Sequence, residues 1–496
     1  MLISKTTFQE FLFCPKNIWL KLHKPELLDK YKLSEYELHL VEQGNEVESV
    51  ARGRFPGGVL VSETGERAVS ETIRLMAEKV PAIFQATFIV DGFIARNDVL
   101  IFDKEHDRWN LCEIKATNSI KEGSKERDHI VDIAFQVSLL RRAGISVGKY
   151  LHMRLNKEYV RMDDLDIQAL FIIEDVTDEV TNRIPEVEEK METARYYLNQ
   201  ENEPAGGCDC VYMSRRNHCA TFSHSNPHIP EYSVHDIAYV SKKKLENFMD
   251  RNVYSLDEIE DPDSFKLTDK QKVQVLAHRL GNPMIDTDVI AKELNNLAFP
   301  LYFLDYEAYG PAIPTFNGYR PYMHIPFQFS LHILREPNAT LEHVEYLHTE
   351  LSDPSEPIAQ LLKEHIIGGT TVSWYKPYEM RINREISERL PEYRDFFERV
   401  NASMYDLRDI FIAQHYVHKD FKGKTSIKKV LPVLAPELKY TNLEIQEGAT
   451  ASKLWWEMVA QSADEVTRKA TEENLKKYCG LDTYAMVAIW KHLIDL

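Results

Sequence analysis

Three groups of side chains have the types and spacing to do chemistry. Asp98 precedes Glu113-Ile114-Lys115 by fifteen residues. Residues two apart in a strand share a face, so Glu113 and Lys115 project together. Two carboxylates beside a lysine can form a hydrolytic metal site. Asp98 and Glu113 supply hard oxygen ligands for magnesium or manganese, and Lys115 orients water or steadies developing charge. Hairpins carry the same residues as cross-strand ion pairs, so this motif alone does not decide for catalysis. In the second group, Leu304-Asp305-Tyr306-Glu307 ends an apolar run, with Asp305 and Glu307 on one face. Tyr478 and Asp482 stand four apart in a helical pattern, hence side by side. Several carboxylates and a tyrosine suit a two-metal phosphodiesterase, whose ions sit ~4 Å apart and stabilise attacking and leaving oxygens. An exposed acidic strand end and an amphipathic last helix account for the residues equally well. The third group is Cys14, in Phe11-Leu12-Phe13-Cys14-Pro15, with Cys208, Cys210 and Cys219. Clustered cysteines in a reducing compartment ligate metal more often than they pair. The spacing admits an iron–sulfur cluster on all four cysteines. It admits equally a tetrahedral zinc on Cys208, Cys210, Cys219 and His218 or His224, with Cys14 left in the core. Cys112 and Cys479 read as ordinary buried cysteines.

These residues need elements to hold them. Periodicity predicts helices over 8–22 and 35–52, then a meander of strands at 86–90, 99–102 and 109–114. An amphipathic helix over 129–142, strands at 151–155 and 169–173, and a helix over 186–199 follow. A Pro/Gly-rich stretch, Pro204-Ala205-Gly206-Gly207, leads into the cysteines. Short helical pieces at 242–250 and 268–278 form a connector. A new unit opens with a buried strand at 299–305, continues through strands at 327–334, 341–347 and 370–374, and ends in helices. The reading is a multidomain α/β protein with an N-terminal domain over 1–232, a helical connector over 233–297 and a C-terminal domain over 298–496.

Composition bounds the function. The 496 residues are 44% hydrophobic and 28% charged, with a net charge of −18. Such an acidic chain is not a histone-like binder relying on a bulk positive field. It is compatible with an enzyme on nucleic acid, because metal-binding carboxylates also push the balance negative. No apolar run approaches the ~18 residues of a membrane span. The first residues lack the pattern of a signal peptide, so the expectation is a cytoplasmic protein without membrane partners.

The order of the first and third groups resembles RecB-like nucleases that carry an iron–sulfur cluster, the PD-(D/E)XK nucleases associated with CRISPR adaptation. The resemblance covers about residues 1–225 and rests on Cys14, Asp98, Glu113-x-Lys115, a helix bearing Gln136 and the cysteine triplet. It implies a restriction-endonuclease-like α/β domain with Asp98 and Glu113 as metal ligands and Lys115 as catalytic. It also implies Gln136 near the scissile strand and a 4Fe-4S cluster on Cys14, Cys208, Cys210 and Cys219. The chain departs from that pattern in three places. One residue separates Cys208 from Cys210 where two are usual, Leu140 stands where a tyrosine is common, and Glu46 or Glu48 replaces an early-helix histidine.

The order of the second group resembles DnaQ-like exonucleases of the ribonuclease H-like fold, in their tyrosine-bearing branch, over about residues 298–496. This resemblance carries over Asp305, Glu307 and Asp482 as metal ligands and Tyr478 as the residue that positions water. The middle acid falls on Glu379, in Trp374-Tyr375-Lys376-Pro377-Tyr378-Glu379, where the family has aspartate. Asp406 and Asp409 are nearby alternatives expected to be structural.

Together the features point to a metal-dependent nuclease with two candidate active sites, a DNA exonuclease using magnesium or manganese. Phosphate contact would fall to local cations: Lys419, Lys422, Lys424, Lys428 and Lys429, then Arg215 and Arg216, then Lys242-Lys243-Lys244. Phe316, Tyr319 and Tyr322 are able to stack bases or to fill a core. Two rivals stand beside this reading. One is a nucleic-acid-binding or scaffold protein with one or both sites inactive. The other is an RNA exonuclease using only the C-terminal site.

Overall fold

Residues from Ala82 to Lys115 carry largely buried strand segments, alternating in and out along Phe93–Val99, and they fold as the expected meander. Strand Ala82–Val90 runs antiparallel to Phe93–Asp103, which runs antiparallel to Arg108–Lys115. The computed structural model describes residues 1–28, 33–121, 128–461 and 464–496. They form two α/β units. One comprises 1–211, 217–227 and 311–322; the other comprises 212–216, 228–310 and 323–496.

In the first unit, Val147–Leu155 joins the meander parallel to Arg108–Lys115, and Phe171–Asp175 closes that edge. The parallel step needs a crossover, and the helix His129–Arg142 supplies it. This helix is buried on all sides from His129 to Leu140, rather than along one stripe as expected, because Thr177–Leu198 covers its outer face. The expected single helix over 8–22 is two. Cys14 adopts an extended backbone, ending Lys5–Phe13, and Pro15 starts Pro15–His23 at a position where its missing N–H costs nothing.

The second unit centres on a five-stranded sheet in the order Glu342–Leu347, Ile325–Leu334, Leu301–Tyr309, Thr370–Ser373, Met404–Asp406. The first three strands are antiparallel and the last two run parallel to Leu301–Tyr309. Tyr302, Leu304 and Tyr306 face a core made with the helices Ser355–His365, Lys376–Arg389 and Arg394–Ala402. The alternate residue, Phe303, meets Trp490 of the last helix, Glu465–Ile494, edge-on. Three polar pins set that helix on the sheet. Thr483 bonds Ser330 at 2.6 Å and His332 at 2.8 Å, and Gln328 donates to the Leu475 carbonyl at 3.0 Å.

The connector does not stand apart. Its helices Lys242–Asp250 and Asp269–Leu280 share an apolar cluster, and Met284–Ile285 pairs with Tyr416–Val417 of the second unit. Residues 311–322 belong to the first unit, where Tyr319 is fully buried and the Tyr322 hydroxyl donates to the Ala116 carbonyl. Both tyrosines are therefore packing residues rather than base-stacking ones. Among the described residues, no helix is long and apolar enough to cross a membrane.

Gly369, at φ 77°, leads into strand Thr370–Ser373, and a Cβ there would lie 2.1 Å from the Pro300 carbonyl oxygen. Both the left-handed backbone and the backbone clash oppose a side chain. Gly369→Ala is expected to lower stability by about 2–3 kcal/mol in urea unfolding. An unchanged midpoint would show that the turn relaxes freely.

Candidate functional site

The first acidic site forms where the meander's pairing breaks. Phe84 pairs with Val99 and Ala86 with Asn97, while Gln85, between them, has a left-handed backbone at φ 58°. The register is the same on both sides, so one pair of the ladder is skipped without an inserted residue. Asp98 Oδ2 accepts the Ile114 N–H at 2.9 Å, and Gln85 donates to Asp98 at 3.4 Å and also to Glu48. Of the two early-helix acids, Glu48 is thus the one linked to Asp98.

Glu113 is fully buried and follows Cys112, the partner of Val99. Gln136 donates to its Oε2 at 2.8 Å, Lys115 lies 2.8 Å from its Oε1, and Lys5 pairs with the same oxygen. Lys115 also reaches Asp132 at 2.5 Å, which in turn accepts from Gln9 at 2.8 Å. The structure therefore brings Asp98, Glu113, Lys115 and Gln136 together and adds Lys5, Gln85 and Asp132. Burial, then the charge of Glu113, pushes Asp98 up to about 7. Burial acts on Glu113 in the same sense, but Lys115 and Lys5 outweigh it and hold that carboxyl well below its usual range.

In the second site, Asp305, Glu307 and Asp482 place one carboxylate oxygen each within 4.8 Å of one another. Asp305 and Glu307 lie on the sheet face that meets the last helix, and Asp482 is one turn beyond Tyr478 on that helix. Glu379, in the first turn of Lys376–Arg389, stands outside this trio. Its Oε2 is buried without a hydrogen-bond partner among the described residues, and its charge acts on both Asp305 and Glu307. Tyr375, at φ 105°, begins that helix, and Asp406 holds the strained turn by accepting the Tyr375 and Lys376 N–H groups at 3.1 and 2.9 Å. Asp406 is occupied by backbone, as a structural acid would be.

Sequence reasoning missed Tyr440, whose hydroxyl donates to Asp482, and the Cys479 thiol, 3.6 Å from Asp305 Oδ2. Lys428, one of five lysines in the basic run, donates to the Tyr478 hydroxyl at 3.3 Å and lies over the Tyr440 and Tyr478 rings. Gly448 opens the helix Gly448–Ala460 so close that a Cβ would lie 3.4 Å from Glu307 Oε2. The Lys428 ammonium also donates to the Gln446 carbonyl. Two other cations of the sequence reading have carboxylate partners. Arg215 forks onto Asp236 at 2.9–3.2 Å, and Lys422 pairs with Glu231 at 2.9 Å.

The donor set fits a hard divalent cation, which takes carboxylate oxygens at ~2.0–2.6 Å. Burial, then the charge of Asp482, raises Asp305 and Glu307 well above the carboxylate range; burial likewise pushes Glu379 up to about 8 and Asp482 to about 6. A carboxyl whose pKa is raised by folding contributes stability at low pH that is lost as pH climbs through the folded value. A bound divalent ion relieves that loss. Manganese at 100 times its Kd adds about 2.7 kcal/mol. The expected result is a rise in Tm of roughly 5 °C at pH 8 and clearly less at pH 5.5. Equal shifts at both values would contradict a proton-linked acid site.

The four cysteine sulfurs Cys14, Cys208, Cys210 and Cys219 also lie within 4.8 Å of one another, and all four residues are buried. Cys14 comes from the break between two helices, Cys210 from the turn Asp209–Tyr212, and Cys208 and Cys219 from flanking loops. A set of four thiols this close can bind a metal ion. Neither histidine weighed as a ligand belongs to this group: His218 stacks on Phe222 and His224 pairs with Glu203 at 3.2 Å.

Comparison with known proteins covers part of the chain. Residues 302–426 match a domain of unknown function, DUF2779. That segment holds Asp305, Glu307 and Glu379 but stops short of Lys428, Tyr478 and Asp482. An uncharacterized protein of Mycoplasma genitalium is 24% identical over 220 residues, 41% of this chain and 33% of the relative. Its uncharacterized homolog in Mycoplasma pneumoniae is 31% identical over 106 residues, 20% of this chain and 16% of the relative. The chain thus matches a third or less of the length of these relatives.

Proposed function

We propose that this protein is a metal-dependent nuclease that hydrolyses phosphodiester bonds of DNA as an exonuclease, with two candidate active sites. The observation that carries the reading is the trio Asp305, Glu307 and Asp482 gathered beside Tyr478 and Lys428. The sheet order, three antiparallel strands followed by two parallel ones beside the first, supports the ribonuclease H-like reading of this unit. In the other unit, a meander, a crossover helix and a parallel strand, with Asp98 and Glu113-x-Lys115 at the pairing break, support the PD-(D/E)XK reading.

Magnesium or manganese, held by Asp305, Glu307 and Asp482 with Glu379 alongside, would supply Lewis acidity toward the phosphoryl group. The chain's own groups do the rest. Tyr478 orients the attacking water through its hydroxyl, whose proton burial and the surrounding acids hold firmly in place. Lys428 stands beside that hydroxyl as the cation nearest an incoming phosphate, and the helix opening at Gly448 adds the positive end of its dipole. In the first unit, Asp98 and Glu113 would hold the ion, Gln136 fixes Glu113, and Lys115 steadies developing charge.

A second reading, in which only the C-terminal site hydrolyses nucleic acid, is favoured by one observation. Lys5 pairs with Glu113, so an ammonium already occupies that acid. Lys115→Ala and Asp305→Ala proteins, assayed with manganese on end-labelled single- and double-stranded DNA and RNA, distinguish the two. Loss of activity with both substitutions supports two sites, and loss with Asp305→Ala alone supports one. Degradation unaffected by either would reject the enzyme.

A further inference from the structure

The four-cysteine group has a size as well as a composition, and the size discriminates between occupants. Around one tetrahedral ion with metal–sulfur bonds of ~2.3 Å, the sulfurs stand ~3.8 Å apart. Cys208 Sγ and Cys219 Sγ are 3.8 Å apart, and no pair among the four exceeds 4.8 Å. Even a regular tetrahedron with 4.8 Å edges has its corners only about 2.9 Å from its centre. After a bond of ~2.3 Å, about 0.6 Å remains between the centre and each metal. A four-iron core, with each thiolate on a different iron and sulfides between the irons, does not fit in that space. The residues present therefore disagree with the 4Fe-4S cluster that the family resemblance implies.

We propose that Cys14, Cys208, Cys210 and Cys219 hold a single tetrahedral zinc ion. Four buried protein thiolates complete the coordination and leave no open position, the arrangement of a structural zinc site. The surroundings suit a thiolate-rich centre. Asn226 donates to Cys208 Sγ at 3.3 Å, and the Thr221 hydroxyl lies 3.8 Å from Cys219 Sγ. Thr221 is itself held by Asn17, which accepts its N–H at 3.1 Å. Gly207 packs so that a Cβ would meet Asn226 Oδ1 at 2.3 Å, so a side chain there would displace the donor to Cys208. The zinc joins the break after helix Lys5–Phe13 to the loops over 208–219, and that helix carries Lys5, the partner of Glu113. It is a clamp on the N-terminal unit rather than an electron carrier.

The test does not depend on nuclease activity, so its failure and that of the nuclease proposal are separable. Full-length protein is purified anaerobically from cells grown with both iron and zinc, and assayed for metals and acid-labile sulfide. The expected result is roughly one zinc per chain and no labile sulfide. Cobalt exchanged into the site should give the visible absorption of tetrahedral thiolate coordination. Cys14→Ser should weaken or shift that band, and Cys112→Ser, outside the group, should leave it unchanged. If Cys14→Ser does not fold, the metal content and cobalt spectrum of the unsubstituted protein decide. Iron with labile sulfide, iron without sulfide, or no bound metal each overturns the proposal.

Discussion

Asp305→Asn is expected to reduce manganese-dependent hydrolysis at the C-terminal site by at least ~10³-fold, with little change in Tm. The substitution keeps the side chain's shape beside the Cys479 thiol and removes one negative oxygen from a trio that places one oxygen of each residue within 4.8 Å of the others. Because the half-buried Asp305 sits with three like charges, Asp482, Glu307 and Glu379, stability without the ion should be unchanged or slightly higher, while the ion's stabilising effect disappears. Tyr478→Phe should cost less, on the order of 10²-fold, because it removes the orienting hydroxyl and leaves the acids in place. Rates on end-labelled DNA, with Tm measured with and without manganese, separate these effects. Asp305→Asn protein with undiminished activity and an undiminished manganese shift would remove Asp305 from the site.

Glu113→Gln is expected to abolish the activity of the N-terminal site and also to destabilise its unit by about 3–5 kcal/mol. Glu113 is fully buried, and two ammonium groups, Lys5 and Lys115, converge on its Oε1. Removing one charge of a buried ion pair leaves the other without compensation, which costs more than the pair itself contributes. Lys115 keeps Asp132 at 2.5 Å; Lys5 loses the carboxylate nearest to it. The double substitution Lys5→Met/Glu113→Gln should therefore recover part of the stability and none of the activity. Urea unfolding of both single variants and the double variant closes the cycle. Additive effects would show that Lys5 and Glu113 do not interact.

The C-terminal residues were readable where the contact is local. Asp305 and Glu307 share a strand face, and Tyr478 and Asp482 share a helix face, because the periods of strand and helix dictate it. The boundaries of His129–Arg142 and Lys242–Asp250 agree with the periodicity for the same reason. Tyr440 left no comparable trace. It is a lone tyrosine in a short turn, and only the packing of that turn on the last helix gives it Asp482. Lys5 is similar: nothing in Ser4-Lys5-Thr6 announces a partner 108 residues away. Lys428 was legible as one of a basic run, but its place at Tyr478, unlike the outward Lys422–Glu231 pair, is a tertiary fact.

By itself, the sequence determined an acidic chain of α/β type, the order of its acids and cysteines, and the neighbours set by strand and helix periods. The tertiary structure decided which distant groups meet: Lys5 with Glu113, Gln85 between Glu48 and Asp98, Tyr440 with Asp482, and four sulfurs within 4.8 Å. The cysteines show the physical reason most plainly. Their identity is written in the chain, but the choice between one ion and a cluster is a question of distance. Distance between Cys14 and residues some 200 positions away is set by helix packing and loop closure, which no local period encodes.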